Sequence, residues 1–508
     1  MRVIGNRAIF AVDDAEYIHL CIPEAKSVVH GEVTYVSVPN TLDAMSVMRS
    51  FGLDAPAPID DYTFPGRFAP YEHQRATMRF LVENMRAYNL SGMGTGKTAA
   101  TAWAADYLMT QGVIRRCLIS APLSCLERVW GDALFQMFPH RKFVVLHGTR
   151  QQRLNAMETD WDFAVVNHHG IGIIGEELPD DVDLIIFDEL AAFRNAKSKT
   201  LWGEAKKIIT PKRWVWGLTG SPTPNAPTDA WAQSKLLTPE RYNGSFTRFK
   251  MDSMLQLGQF KWIPRQRSEQ LVDQVLQPSI RYALEDCIDL PETILQNREA
   301  EMSAEQKQHY EKLRKECVTE IQGVQITAVN AAVLMSKLVQ AACGCIIGNG
   351  ETAELDFGPR LGVLEEVIEE AGGKVIIFVP FTGVIAALER KLKKKYTCAV
   401  VEGSTSSGKR NQIFTDFQTK ADPQLLIASA GCMAHGLTLT AAATICWFAP
   451  ITSHDYYCQA NARIVRPGQT KVTNIVHISA SPVEKRVYQV LQDKGKFQDC
   501  VLDLIKQK

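Results

Sequence analysis

Three separated stretches of the chain carry residue types that could act together on a nucleotide phosphate. In Ser91-Gly-Met-Gly-Thr-Gly-Lys97-Thr98, glycines at 92, 94 and 96 let backbone N–H groups approach phosphate oxygens. Gly92, Met93, Gly94, Thr95 and Gly96 would form the cradle, Lys97 would reach the terminal phosphates, and Thr98 would hold Mg2+ at the start of an alanine-rich helix, Thr98 to Met109. The strict pattern has glycine where Ser91 stands, and alone the stretch also fits a glycine-rich turn capping a helix. Next, Leu184-Ile-Ile-Phe187 runs into Asp188-Glu189, two carboxylates at the end of a buried strand. Asp188 would hold Mg2+ directly or through water, and Glu189 would orient or deprotonate the attacking water; taken alone, the pair also fits a helix N-cap. The third stretch is Gln459-Ala-Asn-Ala-Arg463-Ile-Val-Arg466-Pro-Gly-Gln469. A helix from Ser453 would present Gln459, Arg463 and Arg466 on one face, where planar guanidinium forks can grip transferring phosphate oxygens; alone, it also fits a solvated basic face. A phosphate cradle, a carboxylate pair and late arginines are the parts that NTP hydrolysis needs, and their separation implies a site completed by two domains.

Two further stretches could serve such a site. In Pro70-Tyr-Glu-His-Gln74, the Gln74 amide could both donate to and accept from an adenine edge, although a surface glutamine at the start of a Gln74 to Met85 helix fits the same sequence. Trp214 to Leu218 leads into Thr219-Gly-Ser-Pro-Thr-Pro-Asn225, a polar turn at a strand end. Thr219, Gly220 and Ser221 could sense the carboxylates and relay nucleotide state, or form an ordinary Gly-Pro turn.

The elements that must position these groups alternate between strand-like and helical patterns. Cys117 to Ser120, Phe163 to Val166, Leu184 to Phe187 and Trp214 to Leu218 predict a parallel α/β sheet over residues 66–240. A second series begins at Lys374 to Val379 and continues through 397–401, 424–428, 444–448 and 472–478, predicting a second lobe over 356–508. Between them, 241–355 reads as a mostly helical insertion or connector, with helices predicted over Ser303 to Glu320 and Thr327 to Ala342. Residues 1–65 read as a small N-terminal α/β domain of unassigned role, closed by the proline-rich loop Ala55 to Gly66. A chain of 508 residues predicts about three domains.

Composition narrows the partners. Lys plus Arg and Asp plus Glu both number 56, so any nucleic-acid site must be a local groove rather than a global positive field. The 12 scattered cysteines include no Cys-x-x-Cys pair, which fits a reducing compartment better than a disulfide framework and predicts no structural zinc. No signal-peptide core or membrane-spanning stretch is legible, so a cytoplasmic protein without membrane association is expected. Lys391 and Lys393 to Lys395 end a predicted helix and read as a solvated face.

The ordered set resembles the helicase-superfamily-two ATPases and, within them, the Swi/Snf-type DNA translocases. Gly92 to Thr98 is similar to that family's Glu-Met-Gly-x-Gly-Lys-Thr, Leu218 to Asn225 to its Leu-Thr-Gly-Thr-Pro-x-x-Asn, and Gln459 to Gln469 to its Gln-Ala-x-Asp-Arg-x-x-Arg-x-Gly-Gln. Glu402-Gly-Ser-Thr405 with Arg410, and His435-Gly-Leu-Thr-Leu439, look like its second-lobe motifs. Ala191 stands where the family usually has histidine and Ala462 where it has aspartate, two departures that bear on coupling between ATP turnover and nucleic-acid binding. The length resembles the compact members carried by bacteria and their phages, acting in the bacterial or phage-infected host cytoplasm.

The resemblance implies two RecA-like lobes, ATP and Mg2+ as cofactors, Gly436 among the nucleotide-binding residues, and movement of a monomer along double-stranded or branched DNA. A replication or recombination protein is a further expected partner. Backbone contacts are expected at Pro122 and Ser124 in the first lobe and at Thr382, Ser429 and Thr438 in the second. Two alternatives remain: a helicase that separates strands or migrates branches, and a nucleotide-gated recruitment module with little turnover.

Overall fold

A computed structural model describes residues 2–66, 68–258, 262–323, 328–348, 351–433 and 438–492. The chain divides into two units, Met1–Ala283 and Leu284–Lys508.

The first unit opens with a four-stranded antiparallel sheet of β1 (Arg2–Ile4), β2 (Arg7–Val12), β3 (Lys26–His30) and β4 (Val33–Pro39), ordered β1-β2-β4-β3. Alternation along β4 turns Val36 and Val38 inward, where they pack with Phe10 of β2 and with Met45 and Met48 of the helix Leu42–Ser50. The chain then builds a parallel sheet from β5 (Arg86–Asn89), β6 (Arg116–Ala121), β7 (Phe143–Leu146), β8 (Phe163–Asn167), β9 (Val182–Asp188) and β10 (Trp214–Leu218). After a short hairpin of β11 (Met254–Gln256) and β12 (Trp262–Pro264), β13 (Ser279–Ile280) joins its edge, giving the order β13-β5-β10-β9-β6-β8-β7. Leu184 to Phe187 are wholly buried, as strands covered on both faces require.

The second unit repeats this architecture. Its sheet contains β14 (Thr293–Glu299), then, beyond the hairpin of β15 (Cys345–Gly348) and β16 (Glu351–Glu354), β17 (Lys374–Phe378), β18 (Cys398–Val401), β19 (Leu425–Ala428), β20 (Ala442–Trp447) and β21 (Thr473–Ser479). All six strands of the sheet are parallel, in the order β14-β21-β20-β17-β19-β18. Arg360 and Glu484, both fully buried, form an ion pair at 2.7 Å, and the guanidinium also donates to the carbonyls of Ala342, Phe448 and Ile478. Those bonds tie the helix Gly358–Ala371 to β20, β21 and the helix Pro482–Gln492.

Segment 241–355, expected as a mostly helical insertion or connector, carries strands as well as helices. It holds the helices Ala304–Gly323 and Ala328–Cys343, but it also supplies β13 to the first sheet and β14 to the second. Both are edge strands with little apolar sequence, so backbone pairing defines them rather than a buried side-chain pattern.

Candidate functional site

Strand register gathers the first unit's candidate residues. Asn89 on β5 lies beside Leu218 on β10, which lies beside Asp188 on β9. The three chains leave the sheet together at its carboxyl edge, so the phosphate loop, the turn from Thr219 and the carboxylate pair emerge side by side. A Cβ placed on Gly220 would sit 3.6 Å from the Met93 side chain and 3.7 Å from the Ser91 carbonyl oxygen, so that turn lies directly against the loop. The Thr219 hydroxyl accepts from the Ser221 N–H at 3.2 Å, which fixes the turn internally.

Gly94 and Gly96 adopt left-handed backbone, with φ of 81° and 79°, and the helix Lys97–Thr110 begins immediately afterwards. Lys97 Nζ donates to the Ser91 and Gly92 carbonyls, each at 2.8 Å, while the Thr95 hydroxyl donates to the Gly92 carbonyl at 2.9 Å. Thr98, half-buried, occupies the second position of the helix. Ser91 has a structural part: its hydroxyl accepts from the Tyr282 N–H at 3.2 Å while Gly92 N–H donates to the Tyr282 carbonyl at 2.7 Å. A residue 191 positions away thus braces the loop where the strict pattern would place glycine.

Gln74 is buried rather than a surface residue, and it starts no helix, since that helix spans Glu72–Val82. Its side-chain oxygen accepts from Tyr71 N–H at 3.0 Å and its amide donates to the Thr95 carbonyl at 3.1 Å. The amide therefore touches the phosphate loop itself, and His73 Nε2 meets the same carbonyl at 2.8 Å.

Asp188 has a donor on each carboxylate oxygen: the Glu189 N–H on Oδ1 at 3.1 Å and the Trp130 indole N–H on Oδ2 at 2.9 Å. Burial pushes its carboxyl above the usual carboxylate range, against the opposing pull of Trp130, the Lys97 charge and the Glu189 N–H. Glu189 is left-handed at φ 51°, unlike every other non-glycine among the described residues. That conformation costs on the order of 1–3 kcal/mol in a non-glycine residue. Hard oxygen donors at a buried, cation-facing carboxylate suit Mg2+ chemically.

In the second unit Gln459 lies on the helix His454–Asn461, but Arg463 and Arg466 do not share its helical face. Ala462 caps the helix and the chain turns, with Arg463 N–H donating to the Ala460 carbonyl at 3.2 Å and Arg466 N–H to the Ile464 carbonyl at 3.2 Å. Pro467 disfavours helical geometry at Arg466, so the helix does not resume there. Arg463 is buried; burial lowers the Arg466 pKa, and its Nη1 donates to Thr438 Oγ1 at 3.1 Å. Gln459 is buried, with no hydrogen-bond partner for its side-chain oxygen among the described residues.

Four of the five expected polymer contacts follow the carboxyl ends of parallel strands. Pro122 and the exposed Ser124 follow β6, Thr382 begins the helix after β17, Ser429 follows β19, and Thr438 is exposed beside Arg466. Gly436 and His435 lie outside the described residues. Lys391, Lys393 and Lys395 each pair with a glutamate, as a solvated charged face does. Trp130 belongs to no motif read from the sequence; its bond to Asp188 spans 58 positions and leaves no local signature.

A profile of the SNF2-related domain matches residues 73–345, more than half of the chain. The chain belongs to the SNF2-related family. The helicase conserved C-terminal domain matches residues 360–468, and this Snf2-like protein is accordingly an ATPase of the helicase class. The SNF2-related chain is 28% identical to protein p41 of Acyrthosiphon pisum secondary endosymbiont phage 1, across 87% of its own length and 99% of the phage protein. It is 26% identical to an ATP-dependent helicase of Mycoplasma genitalium over 80% of its length and 25% identical to the helicase/translocase YwqA of Bacillus subtilis over 87%. It spans only 39% and 49% of those two proteins. Among solved structures, the Sulfolobus solfataricus SWI2/SNF2 ATPase core in complex with dsDNA aligns at 20% identity and a TM-score of 0.42, over 88% of this chain and 97% of that one. No helix among the described residues is long and apolar enough to cross a membrane.

Proposed function

We propose that this Snf2-like ATPase hydrolyses Mg·ATP with residues drawn from both lobes and uses the energy to move along double-stranded DNA. The observation that carries this reading is the shared carboxyl edge of β5, β10 and β9, which brings the phosphate loop, the Thr219 turn and the Asp188-Glu189 pair together. In this reading Thr98 and Asp188 hold Mg2+, which when bound supplies charge neutralisation at the phosphate oxygens. Lys97 moves from the Ser91 and Gly92 carbonyls to the terminal phosphates, a short exchange of one set of oxygens for another. Glu189, held in left-handed backbone directly after Asp188, orients the attacking water and takes its proton. Gln459, Arg463 and Arg466 complete the site from the second lobe, the arginines meeting charge on the transferring phosphoryl group. Thr219 to Ser221, seated against the loop, relay its occupancy.

The test is steady-state ATPase activity with no polymer, single-stranded DNA, blunt duplex, branched DNA and RNA, with Glu189→Gln as the control. Strong duplex stimulation, reduced at least about 100-fold in the control, is expected. Preference for branched or single-stranded DNA would replace translocation with strand separation or branch migration. No turnover with any polymer would leave a nucleotide-gated binding module.

A further inference from the structure

Trp130 is fully buried, and its indole N–H is spent on a carboxylate rather than on a backbone carbonyl. It sits in a π-helical turn, Leu126–Gly131, that continues into the helix Asp132–Met137. Such turns are rare and frequently mark functional sites. The turn follows directly on Leu123–Cys125, which contains Ser124, one of the expected backbone-contact residues, just after Pro122. Cys125, Leu126 and Trp130 are all buried in the first unit's core, so this stretch is braced at both ends. Eight residues, Leu123 to Trp130, and the indole hydrogen bond at their end therefore join an exposed turn beyond β6 to the carboxylate at the end of β9.

We infer that Trp130 is a positioning residue that orients Asp188 toward its cation and transmits polymer contact at Pro122 and Ser124 to that carboxylate. The inference rests on the proposed Mg·ATP chemistry. With one donor on each oxygen, the carboxylate plane is fixed, and the remaining lone pairs point in set directions. Partners of this kind typically tune metal affinity or activity by about 10- to 100-fold. A polymer backbone pressing on the exposed turn would shift the indole and rotate the carboxylate with it, so turnover would follow occupancy of the turn.

Trp130→Phe removes the N–H and keeps an aromatic ring. Trp161→Phe is the matched control, because Trp161 is also buried and its indole donates to a backbone carbonyl, that of Met157, at 3.0 Å. The full chain would be assayed for the Mg2+ concentration giving half-maximal ATPase activity, for KM of ATP, and for kcat with and without duplex DNA. Trp130→Phe is expected to raise the Mg2+ requirement about tenfold and to blunt duplex stimulation, with KM for ATP changed less than about twofold; Trp161→Phe is expected to do neither. The second readout needs no turnover. Among the nine tryptophans, the Trp130 indole N–H resonance is identified by its loss in the variant, and it should move when Mg2+ and ADP are added to wild type. Equal Mg2+ requirements in the two variants, with an unmoved indole resonance, would overturn the inference while leaving the ATPase reading intact. If wild type turns over no ATP, that reading fails and the indole response alone decides: movement supports the carboxylate link and its absence overturns it.

Discussion

Gly96 shows how much of the nucleotide site is fixed by single atoms. Its φ of 79° is left-handed, and a Cβ there would come within 2.1 Å of the Gln74 amide nitrogen. That amide cannot swing aside without cost, since it is buried and bonded to the Thr95 carbonyl while its oxygen holds the Tyr71 N–H. Gly96→Ala should therefore lose about 1–3 kcal/mol in the unfolding free energy of the first unit, read by urea titration. It should also raise KM for ATP by at least about tenfold, because the strain falls on the loop that would cradle the phosphates. If the substitution lowered stability but left KM unchanged, Gln74 and Gly96 would have no part in nucleotide binding. The glycine spacing was legible in the sequence because loop chemistry is local. The Gln74 contact and the Tyr282 brace on Ser91 were not, because each joins residues far apart in the chain.

At the level of elements, legibility followed the apolar runs. β10 was predicted with its observed ends, and β9 and β17 to within two residues, because their buried runs stand out from the flanking polar turns. β5 was missed although it precedes the phosphate loop directly: Arg86-Ala-Tyr-Asn89 is short and polar at both ends, and β10 and β13 define it from either side. The helix His454–Asn461 was foreseen, but its early end at Ala462 was not, since no proline or glycine stands there to mark it. That helix is held through Tyr457, whose hydroxyl meets His477 Nε2 at 2.9 Å, while the His477 ring stacks on Tyr488 with centroids 4.1 Å apart. Burial pushes the His477 pKa down to about 4, from an ordinary value near 6.5. Because the unfolded chain binds the proton more readily, this residue's contribution to stability is complete above about pH 6.5 and is lost as pH falls toward 4. The loss over that window is about 3 kcal/mol. Urea titrations at pH 7 and pH 4.5 should show His477→Gln losing less stability than wild type between the two conditions. An identical loss in both proteins would mean that His477 does not titrate across the window.

For the whole molecule, the deciding question is whether the second unit takes part in chemistry whose phosphate loop and carboxylates all belong to the first. Lys97, Asp188 and Glu189 lie before the division at Ala283, and Arg463 and Arg466 lie well after it. Each arginine already has a local structural setting: Arg463 is buried, its carbonyl accepting the Leu439 N–H at 3.0 Å, and Arg466 donates to Thr438. A purely structural arginine would therefore show its loss as lower stability of the second unit, with ATP turnover falling only in proportion to unfolded protein. A guanidinium that meets phosphoryl charge in the transition state would instead lower kcat by about 10³–10⁵ in protein that remains folded. Substitution by lysine separates the two cases, since lysine retains a positive charge but lacks the planar fork. Arg463→Lys and Arg466→Lys should each retain near-wild-type unfolding transitions while kcat with duplex falls by at least about 10²-fold and KM for ATP changes little. Turnover near wild type in both variants would confine hydrolysis to the first unit and assign the late arginines to packing. The sequence resemblance alone could not have separated these outcomes, because the same Gln-x-x-x-Arg-x-x-Arg spacing serves a phosphate grip and a buried turn equally well.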